Sequence, residues 1–226
     1  NSDYVTAVSK SLKSDTLSLF NINKSIEVIP NFVNLEKYHR KTANSNLLNK
    51  NNKIITHVSN FRKVKRILDV LEIFNGIQRQ IPSKLLMIGD GPEKNKAEKK
   101  AKKLGIKDKV IFFGKSNETN KILSFTDLFL LPSEIESFGL SALEAMAANV
   151  PVISSNTGGI PEVNIDNFSG LLSDIGDIDK MINDSVMILS DDNIMNKFKL
   201  NARKRAENFD VHKIVPQYEN VYKSLS

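Results

Sequence analysis

From residue 53 onward, short and mostly apolar runs alternate with stretches in which apolar residues recur at helical spacing. The short runs have the length of buried strands and lie at 54–58, 85–88, 110–113, 128–131, 152–154 and 170–172. Helical spacing is found at 67–77, 119–124, 178–189, 192–208 and 211–224, in a lysine-rich segment that stops at Gly105, and in a segment that begins near Gly139. Strands that alternate with helices predict right-handed βαβ crossovers. The fold class predicted is therefore α/β, with a parallel sheet covered by helices on both faces.

The loops that follow the predicted strands hold most of the glycines and charges that could serve a ligand. They comprise 59–62, 89–92, 114–115, 132–139 and 155–162. In an open parallel sheet, ligands bind beyond the carboxyl ends of the strands, where these loops meet. We therefore expect the functional site at this edge.

The start of the helix at Gly139 offers a binding place for an anion. The first backbone N–H groups of a helix have no partner within it, and the helix dipole adds partial positive charge there. A single junction of this kind is usually only a loop-helix connection. Arg62 and Lys65 follow the first predicted strand and lie at the same edge of the sheet, which favours a phosphate or diphosphate.

Two glutamates flank this helix start. Glu144 lies about one turn into the helix, where its carboxylate could reach a diol such as a ribose. Glu136 lies in the loop ahead of the helix and could accept hydrogen bonds from the hydroxyls of a sugar. Spacing alone is equally compatible with Glu144 as a surface residue and Glu136 as a local cap.

Composition excludes several classes of function. The chain of 226 residues has no cysteine, which excludes disulfides, zinc-thiolate sites and thiol catalysis. Its net charge of +6 suggests nucleic acid, but the lysines of 93–100 alternate with glutamate and asparagine, as on a solvated helix face, and there is no tryptophan. We therefore do not expect nucleic acid as a partner. No apolar run approaches the ~20 residues of a membrane span, so we expect no integral membrane segment.

Other phosphate and metal chemistries fit the sequence poorly. No G-x-x-x-x-G-K-[ST] loop is present, and the Gly-Asp-Gly-Pro of 89–92 lacks the third glycine of a dinucleotide fingerprint. His39, His57 and His212 show no metal-ligand spacing, so we interpret each as structural. We predict no metal and no cofactor.

Glu136 and Glu144 stand in the E-x7-E arrangement of the retaining glycosyltransferases of family 4. The surrounding run 132–153 and the Gly-Gly-Ile-Pro-Glu of 158–162 also resemble that family, as does 30–38, with Phe32 where glycine is usual. The resemblance implies the C-terminal half of a GT-B fold, a Rossmann-like domain that binds a nucleotide-sugar donor. It also implies a fragment of a longer protein, because the N-terminal domain that mainly binds the acceptor is absent from this chain.

The resemblance divides the chain and assigns roles to its residues. It implies an interdomain-proximal segment with the start of the donor domain at 1–50, the donor domain at 51–208 and a C-terminal helix at 209–226. Arg62 and Lys65 would hold the diphosphate and Glu136 would contact the donor sugar, which makes these three the catalytic residues. The donor-binding set, with Glu144 on the ribose and the 113–115 loop beside the uracil, consists of Ser59, Asn60, Gly114, Lys115, Ser137, Phe138, Gly139, Leu140 and Glu144.

A narrower resemblance lies in the decapeptide 57–66, His-Val-Ser-Asn-Phe-Arg-Lys-Val-Lys-Arg. It is similar to a subgroup that transfers N-acetylglucosamine from UDP-N-acetylglucosamine to L-malate in bacillithiol synthesis. The alternatives are a family-4 enzyme that uses another UDP- or GDP-sugar for surface polysaccharide and, in another class, a non-catalytic nucleotide-sugar binding module. The family mechanism implies no protein nucleophile. We expect a cytoplasmic enzyme of bacterial type whose present fragment is inactive alone.

Overall fold

The computed structural model describes residues 4–20, 24–38 and 52–225, and within them it places eight strands and eight α-helices. The strands are β1 (Val5–Ala7), β2 (Ile26–Val28), β3 (Lys53–Val58), β4 (Ser83–Ile88), β5 (Val110–Gly114), β6 (Leu128–Leu131), β7 (Val152–Ser155) and β8 (Gly170–Ser173). The helices are α1 (Lys10–Leu19), α2 (Ile67–Gln78), α3 (Lys94–Lys103), α4 (Thr119–Leu123), α5 (Leu140–Ala147), α6 (Ile178–Ser190), α7 (Asp192–Ala206) and α8 (Val211–Ser224).

The six strands predicted from the apolar runs are confirmed as β3 to β8, and they form one parallel sheet. Its strand order is β5-β4-β3-β6-β7-β8. The chain winds outward from β3 in one direction through β4 and β5, and then returns to β6 and winds in the other direction. The reversal between β3 and β6 is a topological switch point, at which the loops following the two strands diverge and leave a crevice.

Both faces of the sheet are covered, as the α/β prediction requires. In β6, Leu128 and Leu130 belong to the cluster that contains α2 and α6 residues, whereas Phe129 and Leu131 belong to the cluster that contains α5 and α7 residues. All four side chains are fully buried. Successive side chains of a strand point to opposite faces, so a continuous apolar run with both of its faces buried indicates a strand inside a two-sided sheet.

The described residues of 4–20 and 24–38 add a unit to which the sequence analysis assigned no helix or strand. β1 and β2 pair in parallel through the crossover helix α1. Each strand has only three residues, too few to show a period of two, and α1 buries none of its side chains. Two short strands are marginal by themselves, so this unit depends on contacts with the larger domain.

Glu162 provides one of these contacts. Its carboxylate accepts hydrogen bonds from the backbone N–H groups of Lys10 and Ser11, each at 2.8 Å. Next to it, the Ser9 hydroxyl donates to the carbonyl oxygen of Ser137 at 2.6 Å. The start of α1 is therefore fixed to the loops at the carboxyl edge of the sheet, and the carboxylate lies where the helix dipole favours negative charge.

The chain after α7 returns to the N-terminal segment. Val33 donates its N–H to the carbonyl of Phe209 and accepts from the N–H of Val211, both at 2.9 Å. The hydroxyl of Tyr218 in α8 donates to the carbonyl of Ile29 at 3.1 Å. The domain boundaries near 50 and 208 stay predictions. None of the helices in the described ranges has the length and apolar character needed to cross a membrane.

We predict that Glu162→Ala loosens α1. Removal of the carboxylate leaves two N–H groups at the helix start without their acceptor, at a cost of about 1 kcal/mol. Hydrogen exchange should become several-fold faster at the amides of Lys10 and Ser11. Glu219→Ala, an exposed position in α8, is the matched control. Unchanged exchange in α1 would contradict the anchoring role.

Candidate functional site

The loops that follow β3 and β6 are joined directly at the switch point. The N–H of Glu134 donates to the carbonyl of Val64 at 2.8 Å. Val64 belongs to a 3₁₀ turn, Lys63–Lys65, that ends at Arg66 in the left-handed conformation. The predicted phosphate-binding loop and the loop of Glu136 thus form one surface at the carboxyl edge.

Lys65 and Glu136 form an ion pair across this surface. Lys65 Nζ lies 2.5 Å from Glu136 Oε1, and the Ser133 hydroxyl donates to the same oxygen at 3.2 Å. The two charged side chains are 18% and 13% exposed, so the pair is screened less than a surface pair. The residues predicted for the diphosphate and for the sugar therefore lie together, and each limits the motion of the other.

Arg62 stands at the same loop with its side chain exposed. Within the described ranges its guanidinium has no hydrogen-bond or ion-pair partner. By contrast, Arg66 pairs with Asp69 at the start of α2, with Nε 2.7 Å from Asp69 Oδ2. Of these two arginines, only Arg62 has a guanidinium free to bind a ligand in the described structure.

The start of α5 has the open geometry expected of an anion site. Gly139 precedes the helix with φ at 97°, a left-handed conformation that favours glycine, and no side chain caps this end. The first helical bond runs from the N–H of Leu143 to the carbonyl of Gly139, at 3.1 Å. In the described structure the N–H groups of 140–142 have no acceptor, so they remain available to an anion.

The Gly158-Gly159 pair packs directly against the backbone of the loop that carries Glu136. A Cβ on Gly158 would lie 2.1 Å from the carbonyl oxygen of Glu136, and one on Gly159 would lie 2.3 Å from that of Ser137. The N–H of Gly159 donates to the Glu136 carbonyl at 2.9 Å. The two glycines at 158–159 are thus required because the backbones of the two loops approach closely there.

Gly89 and Gly91 allow an equally close backbone approach to the loop after β3. A Cβ on Gly89 would lie 1.8 Å from the carbonyl oxygen of Ser59, and one on Gly91 would lie 2.1 Å from that of Asn60. The N–H of Glu93 also donates to the carbonyl of Phe61 at 3.0 Å. The Gly-Asp-Gly-Pro turn of 89–92 therefore supports the loop of 59–62 by close backbone packing.

A chain of hydrogen bonds fixes that loop from inside the sheet. His57 is fully buried; its Nδ1 lies 2.9 Å from the carbonyl of Leu130 and its Nε2 lies 2.8 Å from the Ser59 hydroxyl. The Phe61 N–H donates to the Ser59 oxygen at 3.3 Å. All three bonds are satisfied by a neutral imidazole that donates from Nδ1 and accepts at Nε2. Burial lowers the pKa of His57 to about 4, and the charge of Lys65 acts in the same direction.

This chain bears on two predictions. It agrees with the interpretation of His57 as structural. It also engages the hydroxyl of Ser59, so Ser59 would contact a nucleotide-sugar donor mainly through its backbone. His212 lies exposed at the start of α8, and His39 lies outside the described residues. Across the described ranges, no group of three or more histidine, cysteine, aspartate or glutamate side chains is arranged to hold a metal ion.

Glu144 lies one turn into α5 and is half-buried. Burial raises the pKa of its carboxyl group, and a hydrogen bond from the Tyr38 hydroxyl opposes that effect. Burial and the neighbouring Glu144 charge in turn raise the pKa of Tyr38. The sequence analysis used Tyr38 only as part of a family resemblance and missed this contact, since spacing cannot place a residue 106 positions away in the chain beside the helix.

The remaining residues predicted to bind the donor differ in how far their side chains are exposed. Phe138 is 3% exposed and its ring packs edge-on against Phe209 at 5.6 Å, so a ligand would meet its backbone only. Ser137 and Leu140 are exposed beside Gly139, and Asn60 is exposed in the loop after β3. Gly114 ends β5 with φ at 69° and accepts from the N–H of Gly89 at 2.8 Å, with exposed Lys115 after it. That loop follows β5, which is one of the two edge strands of the sheet.

Comparison with known proteins gives a family and several relatives. A family model described as glycosyl transferases group 1 matches residues 39–205. N-acetyl-alpha-D-glucosaminyl L-malate synthase of Bacillus anthracis is 40% identical over 226 residues, which cover 98% of this chain and 59% of the relative. UDP-Gal:alpha-D-GlcNAc-diphosphoundecaprenol alpha-1,3-galactosyltransferase of Escherichia coli is 31% identical over 87% of this chain and 54% of its own. The chain thus spans little more than half the length of these relatives.

Solved structures confirm the predicted GT-B fold. Anabaena Alr3699/HepE, in complex with UDP and glucose, superposes with a TM-score of 0.90 at 22% identity, over 99% of this chain and 63% of its own. Sucrose-phosphate synthase from Thermosynechococcus elongatus also gives a TM-score of 0.90, at 25% identity, over 100% of this chain and 59% of its own. The six-stranded parallel sheet with helices on both faces is therefore Rossmann-like, and the chain matches 63% and 59% of these two structures.

We predict that Gly159→Ala displaces the Glu136 loop. The new Cβ would clash with backbone atoms of Ser137 and Phe138 at 2.3 and 2.8 Å, and such overpacking costs about 1–3 kcal/mol. Gly105→Ala is the control, because its Cβ would meet nothing within 4 Å and only its left-handed φ of +70° is strained. Denaturant unfolding should show a larger loss for Gly159→Ala than for Gly105→Ala; equal losses would contradict the supporting role.

We predict that His57 makes the chain less stable in mild acid. The unfolded state binds a proton below pH 6.5 and the folded state only below about 4, so the free energy of unfolding falls as the pH falls between these values. A lowering of the pKa of this size corresponds to a loss on the order of 3 kcal/mol. Denaturant unfolding from pH 7 to pH 4 should be less pH-dependent in His57→Gln than in wild type or in His212→Gln. Equal pH dependence in all three would contradict the prediction.

Proposed function

The chain belongs to the glycosyl transferases group 1 family, and we propose that it is the donor-binding half of an N-acetylglucosaminyltransferase. In the whole protein, N-acetylglucosamine would pass from UDP-N-acetylglucosamine to L-malate with retention of anomeric configuration. The observation that carries the proposal is the 40% identity to the Bacillus anthracis malate synthase along 98% of the chain. The grouping of two cations, two glutamates and an open helix start at one edge supports the same class of donor.

In this proposal the donor lies across the switch point. The diphosphate meets the N–H groups at the start of α5, with Lys65 and Arg62 on its other side. Glu144 binds the ribose and Glu136 contacts the transferred sugar. The loop of Gly114 and Lys115 flanks the uracil, largely through its backbone. Fixed donors in a shielded cleft stabilise a diphosphate more effectively than water does, because they need not reorient.

The proposed reaction needs no nucleophile from the protein. The bond between the sugar and the diphosphate lengthens toward an oxocarbenium-like state, and negative charge grows on the departing UDP. Arg62, Lys65 and the helix start stabilise that charge. The malate hydroxyl attacks the anomeric carbon from the face that UDP leaves and gives its proton to the β-phosphate. Glu136 keeps Lys65 in place through the 2.5 Å ion pair.

Several parts of the proposal concern the whole protein. We assign the malate site mainly to an N-terminal domain that this chain does not contain, and we therefore expect the chain alone to be inactive. We propose the cytoplasm as the compartment, since activated nucleotide sugars are used there. Donor binding is proposed to be independent of divalent metal, because cationic side chains and a helix start supply the positive charge.

A second candidate is a transferase that uses another nucleotide sugar in the synthesis of surface polysaccharide. The Escherichia coli galactosyltransferase, at 31% identity over 87% of the chain, favours this alternative. So does a GDP-mannose-dependent mannosyltransferase of Mycobacterium tuberculosis, at 28% identity over 84%. A non-catalytic binding module is disfavoured because Arg62, Lys65, Glu136 and Glu144 are all present.

Calorimetric titration of this chain, without added metal, tests the donor. UDP and UDP-N-acetylglucosamine should bind, and GDP-mannose and UDP-glucose should bind more weakly. Arg62→Ala and Glu144→Ala should each weaken UDP binding about 10- to 100-fold, as expected for the loss of a hydrogen bond to a charged group.

Each tested residue has a control variant that removes a charge of the same sign. Lys63→Ala removes an exposed cation from the same turn as Arg62, and Glu98→Ala removes an exposed carboxylate from α3. Both should leave the affinity for UDP unchanged. Preference for a different nucleotide sugar would move the function to the second candidate. UDP binding that Arg62→Ala and Glu144→Ala leave unchanged would refute the site assignment.

A further inference from the structure

The Glu136 carboxylate lies beside a cation that is predicted to hold the diphosphate. The hydrogen bonds donated by its described neighbours reach Oε1, from Lys65 Nζ at 2.5 Å and from the Ser133 hydroxyl at 3.2 Å. The side chains of Lys65 and Glu136 are only 18% and 13% exposed, so solvent screens their charges less than at an open surface. A carboxylate in this place cancels much of the positive charge that Lys65 would offer to an anion.

The backbone holds this carboxylate near Lys65. The N–H of Gly159 donates to the carbonyl of Glu136 at 2.9 Å, which fixes one loop. The other loop is fixed through Val64, the residue before Lys65, whose carbonyl accepts from the N–H of Glu134 at 2.8 Å. The negative charge is therefore a permanent part of the surface that an anion would meet, because the fold keeps it there.

Two ligands of the proposed site differ in charge. In a nucleotide sugar the β-phosphate is esterified to the sugar, whereas in free UDP it is a terminal phosphate that ionises a second time with a pKa of about 6. UDP therefore carries nearly one more negative charge at pH 7 than the diphosphate of the donor does. A site that contained only cations and a helix start would bind the product UDP more tightly than the substrate for this reason.

We propose that Glu136 is a specificity-determining residue that favours the intact nucleotide sugar over free UDP and so promotes release of the product. Its charge repels both ligands, and it repels the more highly charged UDP more strongly. With the nucleotide sugar this repulsion is offset, because Oε2 has no partner within the described ranges and can accept a hydrogen bond from a sugar hydroxyl. The proposal rests on the proposed function, in which Lys65 binds the diphosphate and Glu136 contacts the transferred sugar.

Glu136→Gln tests the proposal because it removes the charge and keeps both the size of the side chain and an oxygen that can accept from Lys65. The readout is the pair of dissociation constants for UDP and UDP-N-acetylglucosamine, measured by calorimetry on this chain. The variant should bind UDP several-fold more tightly, on the order of tenfold, as expected when a like charge close to an anion is removed. Its affinity for UDP-N-acetylglucosamine should rise less or fall, because the contact with the sugar is weakened. Loss of a residue that merely contacts the donor, or partial unfolding, would not tighten the binding of UDP.

Glu134→Gln is the matched control. It removes the same charge from an exposed position of the same loop, two residues before Glu136. Both dissociation constants should stay at their wild-type values, since solvent screens an exposed charge. If Glu134→Gln tightens UDP binding as much as Glu136→Gln does, the net charge of the loop alone is responsible and the proposal is wrong.

Wild type provides a test that does not depend on any variant. It should bind UDP-N-acetylglucosamine at least as tightly as UDP, in spite of the lower charge of the nucleotide sugar. Binding of UDP that is about tenfold tighter, or more, would show that the site does not act against the product.

Lys65→Met separates this inference from the function on which it rests. If Lys65→Met weakens UDP binding while Glu136→Gln leaves it unchanged or weakens it, Glu136 does not act against the product and the proposed donor site stands. If Lys65→Met leaves UDP binding unchanged, Lys65 does not hold the diphosphate, and both its predicted role and this inference fail.

Discussion

The hydrogen bond from the Glu134 N–H to the Val64 carbonyl joins the two loops on which the site depends. These loops follow β3 and β6, the neighbouring strands between which the winding of the sheet reverses, so they would otherwise diverge. The bond holds the turn of Lys65 against the loop of Glu136. Each loop is in turn supported by glycines, Gly89 and Gly91 under one and Gly158 and Gly159 under the other, where a Cβ would lie about 2 Å from a backbone oxygen.

The electrostatic design of the site follows from that packing. Glu136 and Glu144 stand near a helix start, and Glu136 already has a donor in Lys65. Arg62 and the N–H groups of 140–142 are left without a partner in the described structure, so these groups can donate to a ligand. A ligand that brings acceptors to the helix start, as a diphosphate does, completes the hydrogen bonding of the site.

The sequence predicted the parts of this structure that arise from local periodicity. The alternation of apolar runs and helical spacing was sufficient for β3 to β8, because strands buried on both faces are continuously apolar. β1 and β2 were missed because three residues show no period. The contacts of Glu162 with Lys10 and of Tyr38 with Glu144 span 152 and 106 positions. No local pattern encodes such pairs. Phe138 was predicted from its motif to bind the donor, but its side chain is buried in the core.

The same reasoning explains why the fold alone does not determine which nucleotide sugar would be the donor. The helix start, the glycine supports and the joined loops are backbone features, and a backbone site holds any nucleotide diphosphate in a similar way. The structure of HepE with UDP and glucose shares this fold at 22% identity, whereas the malate synthase is 40% identical to the chain. Under the proposed function, discrimination between sugars would come from side chains such as Glu136 and from neighbours such as Ser133, whose hydroxyl donates to the Glu136 carboxylate.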